Sequence, residues 1–492
     1  MNPLESLFVT GAHEPAWLAL DAWAHECASA LAAGGRIATL FGRPDASGVA
    51  VTAVLHAPGG ALSILRARAP RGARYPALTE CFPAAQMFER ELWEQTGVMP
   101  VGHPWLKPVR FEGERLQRMA EYPFFTVRGQ EVHEVGVGPI HAGVIEPGHF
   151  RFMCHGERVQ HLEIQLGYQH RGVEALLLQR PPLSLASLVE TIAGDNSIAY
   201  VWGYCAAVEA LTGIRPAPEV ELVRGAALEL ERIAMHLATL TGLATDIAFL
   251  QGGATYGRLR TAIINATMRV CGSRFGRGWL RPGGVRYGLC DERRADLLQT
   301  LAAFEKDLNE VNELMLSSLS VRARFARTGT VSRQAAHDIG LVGLVARASG
   351  VAVDARHDLP GRLYSEHPVA LLTETAGDCL ARLRLRMREI DESLRWLRQL
   401  LSASGTDLTA RELARLGPLR PDTICVAVRE GFRGPVVQTL ETGADGRLVH
   451  YKVQDPSMLN WFGLALAVRE NEISDFPICN KSFDLSYCGN DL

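Results

Sequence analysis

The chain has 492 residues, 47% of them hydrophobic, and a formal net charge of −3 at pH 7. That length is more than one core fills and implies roughly two to four domains, while the near-neutral balance offers no basic footprint for nucleic acid. No apolar run reaches the ~18 residues that span a bilayer, and the start, MNPLESLFVTGAHEPAW, lacks the basic and long apolar regions of a signal peptide.

Residues 1–125 read as a small α/β unit. WLALDAWAHECASALAAG carries apolar residues at helical spacing and ends on glycine. RIATLFGR, GVAVTAVLHA and ALSILRARA follow as strands bounded by Gly or Pro, fitting a small sheet. FPAAQMFERELWEQTGV then predicts a helix with Pro83 near its start and Gly97 as its stop. GHPWLKPVRF leaves it as an extended, proline-pinned segment.

Residues 126–492 change character. Short strands and turns are expected up to the HRG at 170–172, and long helices over 184–213, 218–250, 290–326 and 370–403. In the last, LRLRMREIDESLRWLRQLL places apolar residues on one stripe and charges on the other. TICVAVREGFRGPVVQTLETGADGRLVHYKVQDP alternates with period two around Gly and Asp turns, which predicts a β-meander. A helix from about Ser457 to Arg469 delivers the tail. The expected fold class is therefore α+β, a small α/β domain (1–125) followed by a large, mainly helical domain with peripheral antiparallel strands (126–492).

Ten cysteines are scattered, none in CxxC spacing. The pattern fits neither a disulfide scaffold nor a dedicated iron–sulfur or zinc site. Most are expected to be small buried residues in a reducing cytosol.

Three stretches carry a resemblance. FPAAQMFERELWEQTGV with GHPWLKP resembles the 30-kDa subunit of respiratory complex I. GPIHAGVIEPGHFRF with LGYQHRGVEALL resembles the start of the complex I 49-kDa subunit and of group 4 nickel–iron hydrogenase large subunits. DPSMLNW with SDFPICNKSFDLSYCGNDL resembles the last segment of the same proteins. A 30-kDa-like part ahead of a 49-kDa-like part is the arrangement of formate-hydrogenlyase-type large subunits.

In the hydrogenases of this family two cysteine pairs hold nickel and iron, because soft anionic sulfur suits a redox-active nickel bridged to iron. The resemblance places those four positions at Ala193, Asn196, Ser486 and Gly489, none of which supplies a thiolate. Cys205 lies three helical turns past Ala193, and Cys488 is one residue out of register. The end of the chain shortly after Gly489 leaves nothing of the extension that nickel-bearing relatives remove. The resemblance thus implies a hydrogenase-related chain without its own metal.

It also implies a cavity used in complex I for the quinone headgroup. His141 and Glu146 of the GPIHAGVIEPGHFRF loop are candidates for a proton relay or a quinone contact, since imidazole titrates near neutrality; ordinary loop hydrogen bonding is the alternative. His149 has less claim. Asp195 and Tyr200 are candidate cavity-lining groups, although Asp195 and Asn196 fit a helix N-cap equally well. His170 and Arg171 are expected to face the 4Fe–4S cluster of a neighbouring small subunit, where a permanent cation favours reduction; the alternative is an Arg171–Glu174 pair at i,i+3 spacing. Met235 and His236 are expected to pack or cap in the bundle.

The resemblance implies an electron-transfer or coupling subunit of a complex-I-like or hydrogenase-related oxidoreductase, with no cofactor bound in this chain except a candidate quinone. The partners are an iron–sulfur small subunit of the complex I 20-kDa kind and membrane-arm subunits, with the chain peripheral on the cytoplasmic side of the inner membrane. Alternatives are a quinone-reducing subunit of an NADH-quinone-oxidoreductase-like complex and a non-catalytic scaffold of the peripheral arm.

Overall fold

A computed structural model describes the chain except residues 1–5, 113–117, 130, 142–144, 404, 406 and 412. Strand β1 (Leu7–Gly11) is followed by β2 (Trp17–Leu18), α1 (Leu20–Ala32), β3 (Arg36–Asp45), β4 (Gly48–His56), β5 (Leu62–Ala69) and β6 (Arg74–Pro76). Helix α2 (Gln86–Thr96) and β7 (Met99–Val101) complete the N-terminal part. The expected strands and both helices form, although the first helix begins at Leu20 because Trp17 and Leu18 pair in parallel with β5. Gly97 ends α2 at φ +75°, a left-handed cap that glycine adopts without penalty.

The small sheet runs β2-β5-β4-β3. Its central strand reads GVAVTAVLH, an almost unbroken apolar run, because both of its faces are covered. Val49, Val51, Ala53 and Leu55 pack with Trp23, Cys27, Phe88 and Leu92 of α1 and α2. Val54, with Leu62 and Ile64, packs on Ile424, Val426, Val428 and Val437 of a second sheet from the far end of the chain.

After a three-stranded ladder β10-β9-β8, formed by β8 (Val132–Val137), β9 (His149–His155) and β10 (Arg158–Gln165), the chain turns helical. Short α3 (Val173–Leu178) and α4 (Ala186–Val189) precede α5 (Ser197–Thr212), so the helix expected over 184–213 is interrupted at 190–196. The expected 218–250 helix ends at Asp246 (α6, Pro218–Asp246), and a separate α7 (Leu250–Cys271) follows that the sequence does not announce. Its GGATYG start looks like a loop, yet Gly253 lies against α6, where a β-carbon would come within 2.8 Å of Thr245 Oγ1. A two-strand ladder, β11 (Leu280–Arg281) with β12 (Gly284–Val285), leads to α8 (Asp291–Ser317) and α9 (Leu319–Phe325), so the 290–326 helix is also split.

Four short helices, α10 (Arg333–Asp338), α11 (Gly343–Ala348), α12 (Ala355–Asp358) and α13 (Gly361–Glu366), precede the bundle helix α14 (Cys379–Ser402). That helix begins nine residues later than expected, where the Asp378 side chain accepts from Ala381 N at 2.8 Å. The meander is β13 (Thr423–Glu430), β14 (Pro435–Thr442) and β15 (Leu448–Gln454), and β1 pairs antiparallel with β13 at its edge. The tail carries α15 (Pro456–Ala467), α16 (Phe476–Phe483) and α17 (Tyr487–Asp491). Helix α5 is buried nearly all round, packed between this sheet and α6, which is why its sequence shows no polar face.

The two sheets are tied by charge as well as apolar contact. Buried Arg66 of β5 donates to Glu441 Oε1 of β14 at 2.6 Å and to Ala12 O at 2.6 Å, and Arg43 reaches the other Glu441 oxygen at 3.1 Å. Removing one partner leaves an uncompensated buried charge. Arg66→Met should therefore destabilise the protein by about 3–5 kcal/mol, and adding Glu441→Leu should recover part of that loss. Urea unfolding of the single and double variants measures both.

Candidate functional site

The tail and the 191–196 turn are held together from one side by the 166–172 turn. Asp491 accepts from Gly167 N and Gln169 N, both at 2.8 Å, and Arg171 N donates to Leu492 O at 2.7 Å. The Arg171 guanidinium donates to Thr191 O (3.0 Å), Ile192 O (2.8 Å) and Cys488 O (3.2 Å). Arg171 thus bridges turn and tail. The alternative Arg171–Glu174 pair is not formed, because Glu174 faces Lys452 at 3.1 Å and Val453 N at 2.9 Å. His170 Nδ1 lies 2.8 Å from Asp491 O, and its Nε2 lies 3.3 Å from Glu112.

Ala193, Asn196, Ser486 and Gly489 are all buried. Ser486 holds the tail in shape, since its hydroxyl caps α17 by accepting from Gly489 N at 2.9 Å and its own N–H donates to Ser457 Oγ at 2.9 Å. A β-carbon on Gly489 would overlap Asp455 Oδ2, so the space of a side chain there is already filled. The residues present do not fit a nickel–iron centre: none of the four positions offers a sulfur, and one offers no room for it. Among the described residues, no group of three or more His, Cys, Asp or Glu is arranged to hold a metal ion.

Asp195 pairs with Arg433 through two hydrogen bonds, at 2.9 and 2.5 Å, with the Asp195 side chain 39% exposed and the arginine almost buried. Arg433 also donates to Asp484 O. Neither Asp195 nor Asn196 caps α5 with its side chain; the Asn196 amide is buried without a hydrogen-bond partner among the described residues. The cap comes instead from α6, where Glu231 accepts from Ile198 N at 2.7 Å and Ala199 N at 3.3 Å. Tyr200 does not line an open cavity. It is fully buried, and its hydroxyl donates to Asp455.

These groups differ sharply in proton affinity. Burial, with Asp195 adding negative charge, pushes Glu231 up to about 8 against the pull of its two N–H donors. Burial also raises Asp455, opposed by Tyr200 and Arg433. Asp484 is held well below the usual carboxylate range, because Lys481, Arg433 and Arg386 outweigh its burial. Cys488 is pushed up to about 12, by burial first and then by the Glu146 carboxylate beside it. The arrangement therefore sets fixed charges, Arg433, Arg386 and Asp484, around carboxyls that hold a proton more tightly than usual.

The structure separates the two loop candidates. Glu146 faces the tail, where its negative charge adds to the raised proton affinity of Cys488 and Tyr487. His141 turns back into its own loop, with Nε2 2.9 Å from Gly148 O and the ring beside Phe150. His149 likewise uses Nδ1 on Gly138 O at 3.1 Å. His236 is buried behind the tail between Glu389 (2.7 Å) and Arg386 (3.2 Å), and Arg386 donates on to Ser482 O and Phe483 O. Glu231, Arg433, Asp455 and Arg386 escape sequence reading.

Comparison with known proteins gives two family matches: the family described as the respiratory-chain NADH dehydrogenase 49 Kd subunit over residues 246–415, and the 30 Kd subunit over residues 36–117. The chain is similar to formate hydrogenlyase subunit 5 of Escherichia coli (strain K12), at 28% identity over 441 residues, covering 85% of this chain and 77% of that one. Hydrogenase-4 component G of the same strain is 27% identical over 439 residues, covering 85% and 76%. A subunit of the NADH-quinone oxidoreductase of Clostridium beijerinckii is 29% identical over 304 residues, covering 62% and 79%.

A raised carboxyl pKa makes stability depend on pH with a known sign. Glu231 binds its proton more tightly folded than unfolded, so its contribution is full below the ordinary glutamate pKa and is lost as pH rises through about 8. Glu231→Gln keeps an acceptor for the α5 N–H groups and loses the titration. Its urea midpoint, compared with that of the unaltered protein, should shift upward progressively between about pH 5 and pH 8; a pH-independent difference would contradict the assignment.

Proposed function

The chain belongs to the family that joins the complex I 49-kDa subunit with the large subunits of group 4 nickel–iron hydrogenases, with a 30-kDa-type domain at its N-terminal side, and on that premise we propose that it is the metal-free coupling subunit of a membrane-associated oxidoreductase complex. The single observation that carries this reading is the junction of tail and 191–196 turn. At the four positions where hydrogenases of the family hold their metals stand Ala193, Asn196, Ser486 and Gly489, and protein groups that bind protons surround them.

In this reading the chain docks on a small subunit whose 4Fe–4S cluster supplies single electrons. Arg171 and His170 stand at the docking face, where a guanidinium offers a cation to the cluster. An added negative charge near this face raises the proton affinity of Glu231 and Asp455 and draws a proton in. Asp195, half-exposed and fixed by Arg433, marks the entry, and Glu146 supplies a second carboxylate at the tail. None of the described helices is long and apolar enough to cross a membrane, and in this reading attachment is through membrane-arm partners on the cytoplasmic side.

A quinone acceptor is the second reading. It is favoured by the position of Glu146 beside Cys488, and by the likeness to an NADH-quinone oxidoreductase subunit. The assembled complex distinguishes these readings from a scaffold role. Metal analysis should find nickel far below one per chain; stoichiometric nickel in this subunit overturns the proposal. Glu231→Gln and Asp195→Asn should flatten the pH dependence of the partner cluster's midpoint potential, measured by redox titration followed by electron paramagnetic resonance. Unchanged slopes with unchanged turnover would leave the scaffold reading. Quinone-site inhibition that competes with substrate and weakens in Glu146→Gln would favour the second reading.

A further inference from the structure

A cavity of about 450 Å³ lies between the N-terminal sheet and the C-terminal domain, a size typical of small-molecule sites. It shares no residue with the tail junction. Its walls are mostly apolar, with Leu62 and Phe88 from one domain and Leu341, Val353, Val437 and Leu459 from the other.

Two of its polar residues each carry a buried atom without a hydrogen-bond partner among the described residues, one on each side of the domain boundary. His56, at the end of β4, lines the cavity, and Arg36 Nη2 sits 3.0 Å from its Nδ1. A guanidinium can only donate, so Nδ1 is the acceptor and the ring proton is on Nε2. That Nε2 is the buried atom without a partner. Burial, with Arg36 adding to it, pushes the imidazole down to about 4, so the ring is neutral. Gln454, at the end of β15, is 1% exposed and spends its amide nitrogen on Asp455 O and Met458 Sδ, both at 3.2 Å. Its Oε1 has no partner. Buried groups left unpaired cost stability, and a ligand that pairs with them recovers it.

The charges of the lining select against anions, since Glu80, Asp338, Asp354, Asp358 and Glu430 line it against one arginine, Arg36. Arg36 is committed to Asp358 at 2.9 Å, while Glu430, held by Arg347 at 3.2 Å and Ala355 N at 3.0 Å, keeps a carboxyl on the wall. An anion would face that carboxyl and those of Asp354 and Asp358, with no unpaired arginine or lysine among the described lining residues to offset it. We propose that this interdomain cavity binds a mainly apolar small molecule that carries no negative charge and bears a hydroxyl or secondary amide, which accepts from His56 Nε2–H and donates to Gln454 Oε1. Occupancy would join the two domains through a ligand.

The first probe is 4-pentylphenol. Its controls are 4-pentylanisole, which has the shape and no donor, and 4-pentylbenzoate, which has the charge. Calorimetric titration of the full-length protein should show the phenol binding about tenfold more tightly than either control. His56→Phe and Gln454→Leu should each remove most of that preference. Leu62→Trp, which fills the cavity, should abolish binding while circular dichroism shows the fold retained; Val437→Phe replaces it if it does not fold. Equal binding of phenol and anisole, preference for the benzoate, no binding at all, or binding that survives the filling variants would each overturn the proposal.

Discussion

The carboxyl-terminal tail of this protein is fixed inside the molecule by backbone carbonyls that meet guanidiniums, and Arg171 is the one that ties it to the 191–192 carbonyls. Arg171 collects the carbonyls of Thr191, Ile192 and Cys488, and its own N–H takes that of Leu492. Asp491 returns the contact by accepting two N–H groups of the 167–169 turn. A planar fork with five donors suits this role, since it can serve three acceptors from two segments at once, which an ammonium on a flexible stem does less well. Two segments nearly three hundred residues apart in sequence therefore form one surface, and the properties of the candidate site follow from that.

Behind the surface the bundle is organised by buried ion pairs. Arg224 meets Glu209 at 2.6 Å; Arg232 and Arg356 share Glu229; and Arg347 contacts Asp354, Glu389 and Glu430. Such pairs add little net stability, because desolvating both charges offsets their attraction. They do penalise every arrangement that leaves one unpaired. Helices α6 and α14, the α12 region and β13 can slide against one another only by breaking several of these contacts, so the pairs fix register. Near the tail, burial raises Glu231 and Asp455, while Lys481, Arg433 and Arg386 together hold Asp484 low.

Much of the fold was legible in local pattern. Strands β3, β4 and β5, the meander β13 to β15 and helix α2 follow alternation, Gly and Pro stops, and capping. What was not legible depends on contacts distant in sequence. The separate α7 reflects packing against α6 that Gly253 permits, and the start of α5 after the break at 190–196 is capped from α6 by Glu231. Asp195 could be read as a cap or as a cavity group; only the arrival of Arg433, 238 residues on, decides for the paired, half-exposed group. Tyr200 reads from sequence as a residue facing a cavity, and Asp455 holds it buried. Glu231 as the cap of α5 was hidden because a cap drawn from another helix leaves no local signature. Cys488 illustrates the reverse, since its register alone distinguishes it from the ligand positions beside it.

The four residues at the positions where the resemblance places metal ligands are each held by their surroundings. Ser486 is the N-cap of α17, so a thiol there would exchange a hydroxyl acceptor for a much weaker one at the start of a five-residue helix. Gly489 lies against Asp455, whose carboxyl is held by Tyr200 and by Ser457 N, so a side chain at 489 must displace a buried, hydrogen-bonded acid. Ala193 and Asn196 flank the turn that Arg171 and Glu231 fix from two directions. Restoring one cysteine therefore meets a junction closed around the other three positions, and its cost would fall on α17 and Asp455 before any metal could offset it. As it stands, the junction is closed by backbone hydrogen bonds and by carboxyls whose proton affinities burial and nearby charge set apart.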